Sequence, residues 1–151
     1  MDIGKICNRN AVTFRELDER TRAAQLMREK HIGYLVVVKP DPVDGTVRPV
    51  GVITDRDIVV AVVAKETDPR TLKVGEVMTR QPAVVDEGTP VATALQLMRR
   101  IGVRRLPVIG RMGMLVGVLS LDDVLDAISG ELLDIAGSIR HEIRMEDALR
   151  P

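Results

Sequence analysis

The stretch VGVITDRD at residues 50–57 returns, with changes, as VGVLSLDD at residues 116–123. Each version begins with apolar residues and a Gly, continues to a Thr or Ser, and places an Asp three positions later. Because apolar side chains follow each Asp at helical spacing, the stretch predicts a strand that leads directly into a helix. The repetition decides the fold, since it divides the chain into two similar halves.

The similarity between the halves extends over most of the chain. An offset of 71 residues aligns Gln-Leu-Met-Arg at residues 25–28 with the same tetrapeptide at residues 96–99, and residues 35–37 with 106–108. The offset falls to 66 at the opening stretch, and the five-residue difference lies around one Pro- and Gly-containing loop at residues 40–45. A length change confined to a turn is what two copies of one fold should show.

Each half predicts the same order of elements, β-α-β-β-α. Strands are expected at residues 11–14, 34–38 and 50–53 in the first half and at 83–85, 106–109 and 114–119 in the second. Helices are expected after the N-caps Asp18 and Thr89, and at residues 55–64 and 121–128. One half alone buries too little surface to be stable. The prediction is therefore an α+β (α/β) fold in which two motifs pack sheet to sheet.

The chain divides into a first repeat at residues 1–66, a linker at 67–73, a second repeat at 74–130 and a C-terminal helical tail at 131–151. One helical face of the tail carries the apolar residues Leu132, Ile135, Ala136, Ile139 and Ile143. Three outcomes stay open for the tail. It closes over its own domain, it packs on a second subunit, or it frays.

Composition excludes several classes of function. Lys plus Arg equals Asp plus Glu at 22 each, and the chain has no Trp, one Phe and one Tyr, so neither net charge nor aromatic stacking favours nucleic acid. No apolar run approaches the ~18 residues that predict a membrane span. The single cysteine, Cys7, and the absence of a signal peptide predict a cytoplasmic protein.

The sequence also lacks the residue patterns of an enzyme or a metal protein. Cys7, His31 and His141 do not form a metal-binding set by spacing. There is no nucleophile–base pair that spacing supports, and no Gly-x-x-x-x-Gly-Lys-[Ser/Thr] phosphate loop. We therefore expect no enzymatic activity, no metal site and no required cofactor.

The chain resembles a tandem pair of CBS (cystathionine β-synthase) domains. The resemblance rests on the duplicated β-α-β-β-α order, the Leu-Pro-Val strand at residues 106–108 and the two hydroxyl-x-x-Asp turns, and it covers roughly residues 3–128. It implies a pseudo-twofold module with two clefts that bind adenosyl ligands, namely AMP, ADP, ATP or S-adenosylmethionine. It also implies a stand-alone regulatory module that senses its ligand as a homodimer and acts on a regulated protein.

The resemblance assigns ribose binding to Thr54 and Asp57 in the first repeat and to Ser120 and Asp123 in the second. A carboxylate suits this role because it accepts charge-assisted hydrogen bonds from both ribose hydroxyls. The resemblance further places adenine against the strand that enters each repeat. Those strands contain Val12 and Ala83.

The resemblance also assigns phosphate binding to Arg104 and Arg105, which come just before the Leu-Pro-Val strand. A guanidinium fork suits this role because its donors fit phosphate oxygens. The matching positions of the first repeat hold Gly33 and Tyr34, so the two clefts should differ. Arg56, inside the first turn, is expected to compensate in part.

A second interpretation stays open for the same residues. A Thr or Ser followed three positions later by Asp matches a capping box, which satisfies the first N–H groups of a helix. Capping and ribose binding are not exclusive. If the clefts bind nothing, the alternative function is a scaffold for protein–protein interaction, with Arg104 and Arg105 as solvated surface charges.

Overall fold

The computed structural model describes residues 1–150. The first half contains α1 (Ile3–Ile6), β1 (Thr13–Phe14), α2 (Arg20–Lys30), β2 (Tyr34–Pro40), β3 (Val47–Thr54) and α3 (Asp55–Val62). The second half contains β4 (Thr79–Arg80), β5 (Val85–Asp86), α4 (Val91–Ile101), β6 (Arg105–Ile109), β7 (Leu115–Ser120) and α5 (Leu121–Leu149). Single 3₁₀ turns lie at Pro69–Thr71, Val74–Glu76 and Arg111–Gly113.

The strands form two sheets that correspond to the two repeats. The first sheet has the order β1-β2-β3-β4, and the second has the order β5-β6-β7. In each, a short strand runs parallel to the central strand, which pairs antiparallel with the next one. The central strands are continuous apolar runs because both of their faces are covered. The predicted α+β fold with two β-α-β-β-α motifs is confirmed.

The segments that lead into the two repeats are exchanged. Ile3 and Cys7, from the start of the chain, are buried in the core of the second repeat. Val74 and Met78, from the start of the second repeat, are buried in the core of the first. Backbone pairing follows the same exchange, because Asn8 pairs with β7 and β4 pairs with β3. Each repeat therefore depends on the other half of the chain to complete its core.

Two helix starts differ from the sequence prediction. The Asp18 carboxylate accepts a hydrogen bond from the Arg15 backbone N–H at 2.6 Å, which closes the preceding turn, so α2 begins only at Arg20. In the second repeat Pro90, not Thr89, occupies the N-cap, because its backbone is still extended. Each N-cap thus lies one residue later than expected, at Glu19 and at Pro90.

The closing helix of the second repeat is much longer than predicted. It was expected to end near Ile128, but α5 continues through Gly130 as one helix of 29 residues. Val124 is its buried residue, and beyond Ile128 every described side chain is exposed except Ala136. The tail therefore does not fold back over its own domain.

A charged residue occupies a core position in the first repeat. Arg20 is 1% exposed, and none of its guanidinium nitrogens has a hydrogen-bond partner within residues 1–150. Burial lowers the pKa of Arg20, and the nearby charge of Glu76 opposes that effect. At the matching position of the second repeat, Val91 lies in the core. The first core thus carries a polar group that its counterpart replaces with an aliphatic side chain.

Replacing Arg20 by Leu should stabilise the protein. The variant removes a buried charge without partners and keeps an apolar contact, so we expect the free energy of unfolding in urea to rise by about 1–3 kcal/mol. The exposed Arg22→Leu variant serves as the control and should change it by less than about 0.5 kcal/mol. A loss of stability in Arg20→Leu would show that the guanidinium makes a favourable contact.

The exchange of leading segments makes a second prediction. Ile3→Ala removes a fully buried side chain, so we expect a loss of about 2–5 kcal/mol in unfolding free energy. The loss of amide hydrogen-exchange protection should concentrate in β6 and β7, which lie far along the chain from residue 3. The matched variant Val74→Ala should instead loosen β2 and β3. Loosening of β2 and β3 in Ile3→Ala, or of β6 and β7 in Val74→Ala, would contradict the exchange.

Candidate functional site

Both hydroxyl-x-x-Asp turns form capping boxes. Thr54 Oγ1 accepts from the Asp57 backbone N–H at 3.1 Å, and Asp57 Oδ2 accepts from the Thr54 backbone N–H at 2.8 Å. The corresponding distances for Ser120 and Asp123 are 3.1 and 2.7 Å, and the Ser120 hydroxyl also donates to Asp123 Oδ2 at 2.6 Å. In each Asp the cap occupies Oδ2, and Oδ1 has no hydrogen-bond partner within residues 1–150. Each cap therefore leaves one carboxylate oxygen for a ligand.

The larger of two clefts between the repeats contains the first turn. Its cavity has a volume of about 720 Å³, which lies within the range of small-molecule sites. From the first repeat it is lined by Gly33, Tyr34, Val52 and residues 54–57. From the second half of the chain it is lined by Thr79, residues 81–83 and residues 101–106. Thr54, Asp57, Arg56, Ala83, Arg104 and Arg105 therefore share one cavity. We call it the Asp57 cleft.

The smaller cleft contains the second turn. Its cavity of about 190 Å³ lies below the range of roughly 300–1,000 Å³ that small-molecule sites occupy. It is lined by Ser120 and Asp123 together with Asn8, residues 10–12, residues 31–34, Arg105 and Val118. Val12 thus lies beside Asp123 rather than beside Asp57. We call it the Asp123 cleft.

Each cleft is lined by candidate site residues from both repeats. The within-repeat comparison expected Arg104 and Arg105 to serve the second turn, with Arg56 as a partial substitute at the first. The structure instead places all three arginines in the Asp57 cleft. The reason is the exchange described above, because the strand before Ala83 adds to the first sheet and carries the second repeat toward the first turn.

Tyr34 and Arg105 form the wall between the two clefts. Both residues line both cavities, and the Arg105 guanidinium lies 5.9 Å from the centroid of the Tyr34 ring. This distance allows a cation–π contact, which orients the guanidinium. Burial raises the pKa of Tyr34, so its phenol remains neutral at physiological pH. Tyr34 therefore does more than replace an arginine in the first repeat. Its ring orients Arg105, which is a candidate for binding phosphate.

Asp55 belongs to the Asp57 cleft and was not expected from the sequence. Its Oδ2 lies 2.7 Å from where a Cβ would stand on Gly33, so a larger residue at position 33 would displace this carboxylate. The matching residues of the second repeat are Leu121 and Arg104. The signal in the sequence was a pair of linked differences between the repeats. A Gly and an Asp in one repeat replace an Arg and a Leu in the other.

The comparison with known families agrees with this architecture. A family model, described as CBS domain, matches residues 3–64 and 74–130. The chain belongs to the CBS domain family. The two matched segments make it a tandem pair, as the resemblance implied.

Relatives include both characterised and uncharacterised proteins. Hypoxic response protein 1 of Mycobacterium tuberculosis is 35% identical over 119 residues, covering 79% of each chain. An uncharacterized protein of Methanopyrus kandleri is 30% identical over 125 residues, covering 83% of this chain and 61% of the relative. The chain spans 52–61% of the length of the first three curated relatives that it matches.

Solved structures share the fold. The crystal structure of Hypoxic Response Protein I with two coordinated zinc ions aligns with a TM-score of 0.72 at 33% identity, covering 83% of this chain and 98% of that one. The CBS domain pair of protein MJ0100, in complex with 5′-methylthioadenosine and S-adenosyl-L-methionine, aligns with a TM-score of 0.72 over 87% of this chain and 98% of that one. Its identity is 21%, so this likeness concerns the fold alone.

Residues 1–150 contain neither a cluster of metal-ligating side chains nor a membrane-spanning helix. No group of three or more His, Cys, Asp or Glu side chains in this part of the chain is arranged to hold a metal ion. None of the described helices, α5 included, combines the length and the apolar character needed to cross a membrane.

The capping boxes predict a modest and similar stability change in two variants. Asp57→Ala and Asp123→Ala each remove one side-chain acceptor from a helix start, so each should lower the unfolding free energy by about 1 kcal/mol without added ligand. Thermal and urea unfolding of the two purified variants measure this change. A loss well above about 2 kcal/mol in either would mean that the Asp does more in the fold than cap its helix.

Proposed function

We propose that the protein is a regulatory module that binds an adenosyl ligand (AMP, ADP, ATP or S-adenosylmethionine) in the Asp57 cleft. The observation that carries the proposal is the composition of that cavity. One carboxylate with a free oxygen stands at the start of α3, and three arginines line the same cavity of about 720 Å³. This combination suits a ligand with vicinal hydroxyls at one end and an anionic group at the other.

Each part of the ligand has candidate contacts. Asp57 Oδ1 accepts from the ribose hydroxyls while Asp57 Oδ2 keeps its cap on the Thr54 N–H. Arg104, Arg105 and Arg56 receive the phosphates. The adenine lies near Ala83, and the aliphatic side chains of Val52 and Ile101 line the same cavity.

The charges rank the ligands. Three guanidinium groups attract phosphate, whereas the Asp55 carboxylate repels it. An additional phosphate group therefore raises the binding affinity only if it lies within reach of an arginine. AMP and ATP therefore differ in which arginines they engage. S-Adenosylmethionine carries a sulfonium cation, which three arginines disfavour, so we rank the nucleotides first.

We propose one ligand per chain. The Asp123 cleft has the second hydroxyl–Asp turn, but its cavity of about 190 Å³ lies below the range for small-molecule sites. Of the arginines predicted to bind phosphate, it retains Arg105, which also faces the larger cleft. Its Ser120 hydroxyl is bonded to Asp123 as well, which leaves fewer groups free for ribose.

Regulation follows if the ligand binds one shape of a homodimer better than another, since differential affinity is what shifts such an equilibrium. The altered dimer would then act on a regulated protein. We propose no catalytic role. Burial raises the pKa of the Cys7 thiol, which suppresses the thiolate needed for nucleophilic attack.

Calorimetric titration with adenosine, AMP, ADP, ATP and S-adenosylmethionine tests the proposal. Asp57→Asn should weaken every adenosyl ligand by at least about tenfold, because a charge-assisted hydrogen bond is lost while the Asn oxygen still caps α3. The matched control Asp123→Asn should leave affinity unchanged. Arg104→Gln should lower the affinity for ATP and AMP but not the affinity for adenosine, which has no phosphate.

Three results would contradict the proposal. No heat from any ligand would leave the protein-interaction scaffold as the better function. Equal losses in Asp57→Asn and Asp123→Asn would mean that the clefts are equivalent. A stoichiometry of two per chain would overturn the assignment to one cleft.

A further inference from the structure

One residue of the Asp57 cleft holds a backbone conformation that residues with side chains rarely adopt. Gln81 has a φ of +48°, in the left-handed region, and it lines the cleft two residues before Ala83. The next residue is Pro82, whose ring restricts the backbone of the residue before it. Glycine would adopt this φ readily, so the fold carries a glutamine here at an energetic cost. Backbone strain of this kind is concentrated at ligand-binding sites.

The strained conformation distinguishes the two clefts. The Gln81 backbone N–H donates to the Val50 carbonyl at 3.2 Å, directly after β4 pairs with β3. The matching residue of the first repeat is Asn10, which lines the Asp123 cleft. Its φ is not positive, and its backbone N–H donates to Asn8 Oδ1 at 2.9 Å. Both repeats therefore place a carboxamide at this position, but only the Asp57 cleft holds it on a strained backbone.

The carboxamide of Gln81 is free to contact a ligand. The side chain is exposed, and within residues 1–150 its amide oxygen and nitrogen form no hydrogen bond. The two residues that follow it along the cleft, Pro82 and Ala83, have no polar atom in their side chains. Gln81 is thus the one side chain of residues 81–83 that can donate and accept hydrogen bonds.

Two aliphatic side chains of the same cavity are also uncovered. Ile101 is 42% exposed and Val103 is 36% exposed, and both lie where α4 ends and line the Asp57 cleft. The matching residues of the first repeat are Lys30 and Ile32, of which Ile32 lines the Asp123 cleft and Lys30 does not. The apolar face of a purine ring would cover Ile101 and Val103 and remove them from water.

We propose that Gln81 selects adenine among the purines in the Asp57 cleft. Its amide oxygen accepts a hydrogen bond from the 6-amino group, and its amide N–H donates to ring nitrogen N7. Ile101 and Val103 pack on the base. The inference rests on the proposed function, because it names the residue that recognises the base of that ligand.

A carboxamide discriminates between purines on this edge. Adenine presents a donor at N6 and an acceptor at N7, and the two groups of a glutamine amide match both. Guanine and hypoxanthine present acceptors at both O6 and N7, so the amide can satisfy one of them and its oxygen faces the other. Rotation of the amide does not remove this mismatch. The cleft should therefore prefer 6-aminopurines to 6-oxopurines.

Calorimetric titration of the full chain with AMP, GMP and IMP tests the assignment. The wild type should bind AMP at least about tenfold more tightly than GMP or IMP. Gln81→Leu should lower the affinity for AMP by about tenfold and leave the affinity for GMP unchanged, because the lost contacts are specific to adenine. The matched control Asn10→Leu makes the same kind of change in the Asp123 cleft and should alter neither affinity.

A second variant separates recognition from backbone strain. Gln81→Gly removes the carboxamide and also relieves the left-handed conformation, so Tm without ligand should rise by about 2–4 °C. The preference for AMP over GMP should nevertheless be lost, as in Gln81→Leu. If Gln81 were only a turn residue, Gln81→Gly would raise Tm and leave the preference intact.

An analogue of AMP tests the edge of the base. In 7-deaza-AMP a carbon replaces N7, so the hydrogen bond from the Gln81 amide N–H cannot form. The wild type should bind this analogue several-fold more weakly than AMP, by about 3–10-fold for one hydrogen bond. Gln81→Leu should bind the two ligands equally.

Three results would overturn the inference. One is an unchanged ratio of AMP to GMP affinity in Gln81→Leu. Another is an equal loss of AMP affinity in Asn10→Leu, which would assign the base to the other cleft. The third is wild-type binding of 7-deaza-AMP as tight as that of AMP. AMP binding that responds to Asp57→Asn but not to Gln81→Leu would contradict this inference alone, whereas an absence of AMP binding by the wild type would contradict the proposed function as well.

Discussion

The structure depends on the exchange of two leading segments between the repeats. Ile3 is fully buried in the core of the second repeat, and Val74 is fully buried in the core of the first. A repeat of about 60 residues buries a smaller share of its surface than a larger domain does, so each repeat gains from segments supplied by the other half of the chain. Because each core is completed from the far half of the chain, the repeats hold one relative position. The clefts between the repeats are therefore held in one shape as well.

The exchange also determines which side chains meet. Thr54 ends β3 and Asp57 lies in the first turn of α3, whereas Arg104 and Arg105 lie at the start of β6 in the second repeat, yet all four line one cavity. The capping box adds a second constraint, since it orients Asp57 through a 2.8 Å hydrogen bond and leaves its other oxygen unused. A carboxylate held in this way is preorganised for a ligand, and preorganisation lowers the entropic cost of binding.

The sequence predicted the repeated order of elements, because continuous apolar strands and hydroxyl-x-x-Asp turns are local signals. It did not predict the exchange. Ile3 and Cys7 are apolar whichever core they enter, and a helix of four residues has too little periodicity to show a face. For the same reason the sequence did not show that Arg104, Arg105 and Arg56 line one cavity. The length of α5 was also missed, because a Gly such as Gly130 commonly follows the last residue of a helix.

The difference between the clefts comes from one linked pair of positions. If position 33 held an Arg like Arg104, the Asp123 cleft would have a cation of its own. It holds Gly, and the Asp55 carboxylate lies against that glycine. The second repeat has Leu121 in place of Asp55, so Arg104 extends from the matching backbone position into the Asp57 cleft without an adjacent carboxylate from its own repeat. These two differences between the repeats thus accompany the placement of Arg56 and Arg104 on one side of the wall formed by Tyr34 and Arg105. The two repeats share one backbone arrangement although their clefts differ in charge.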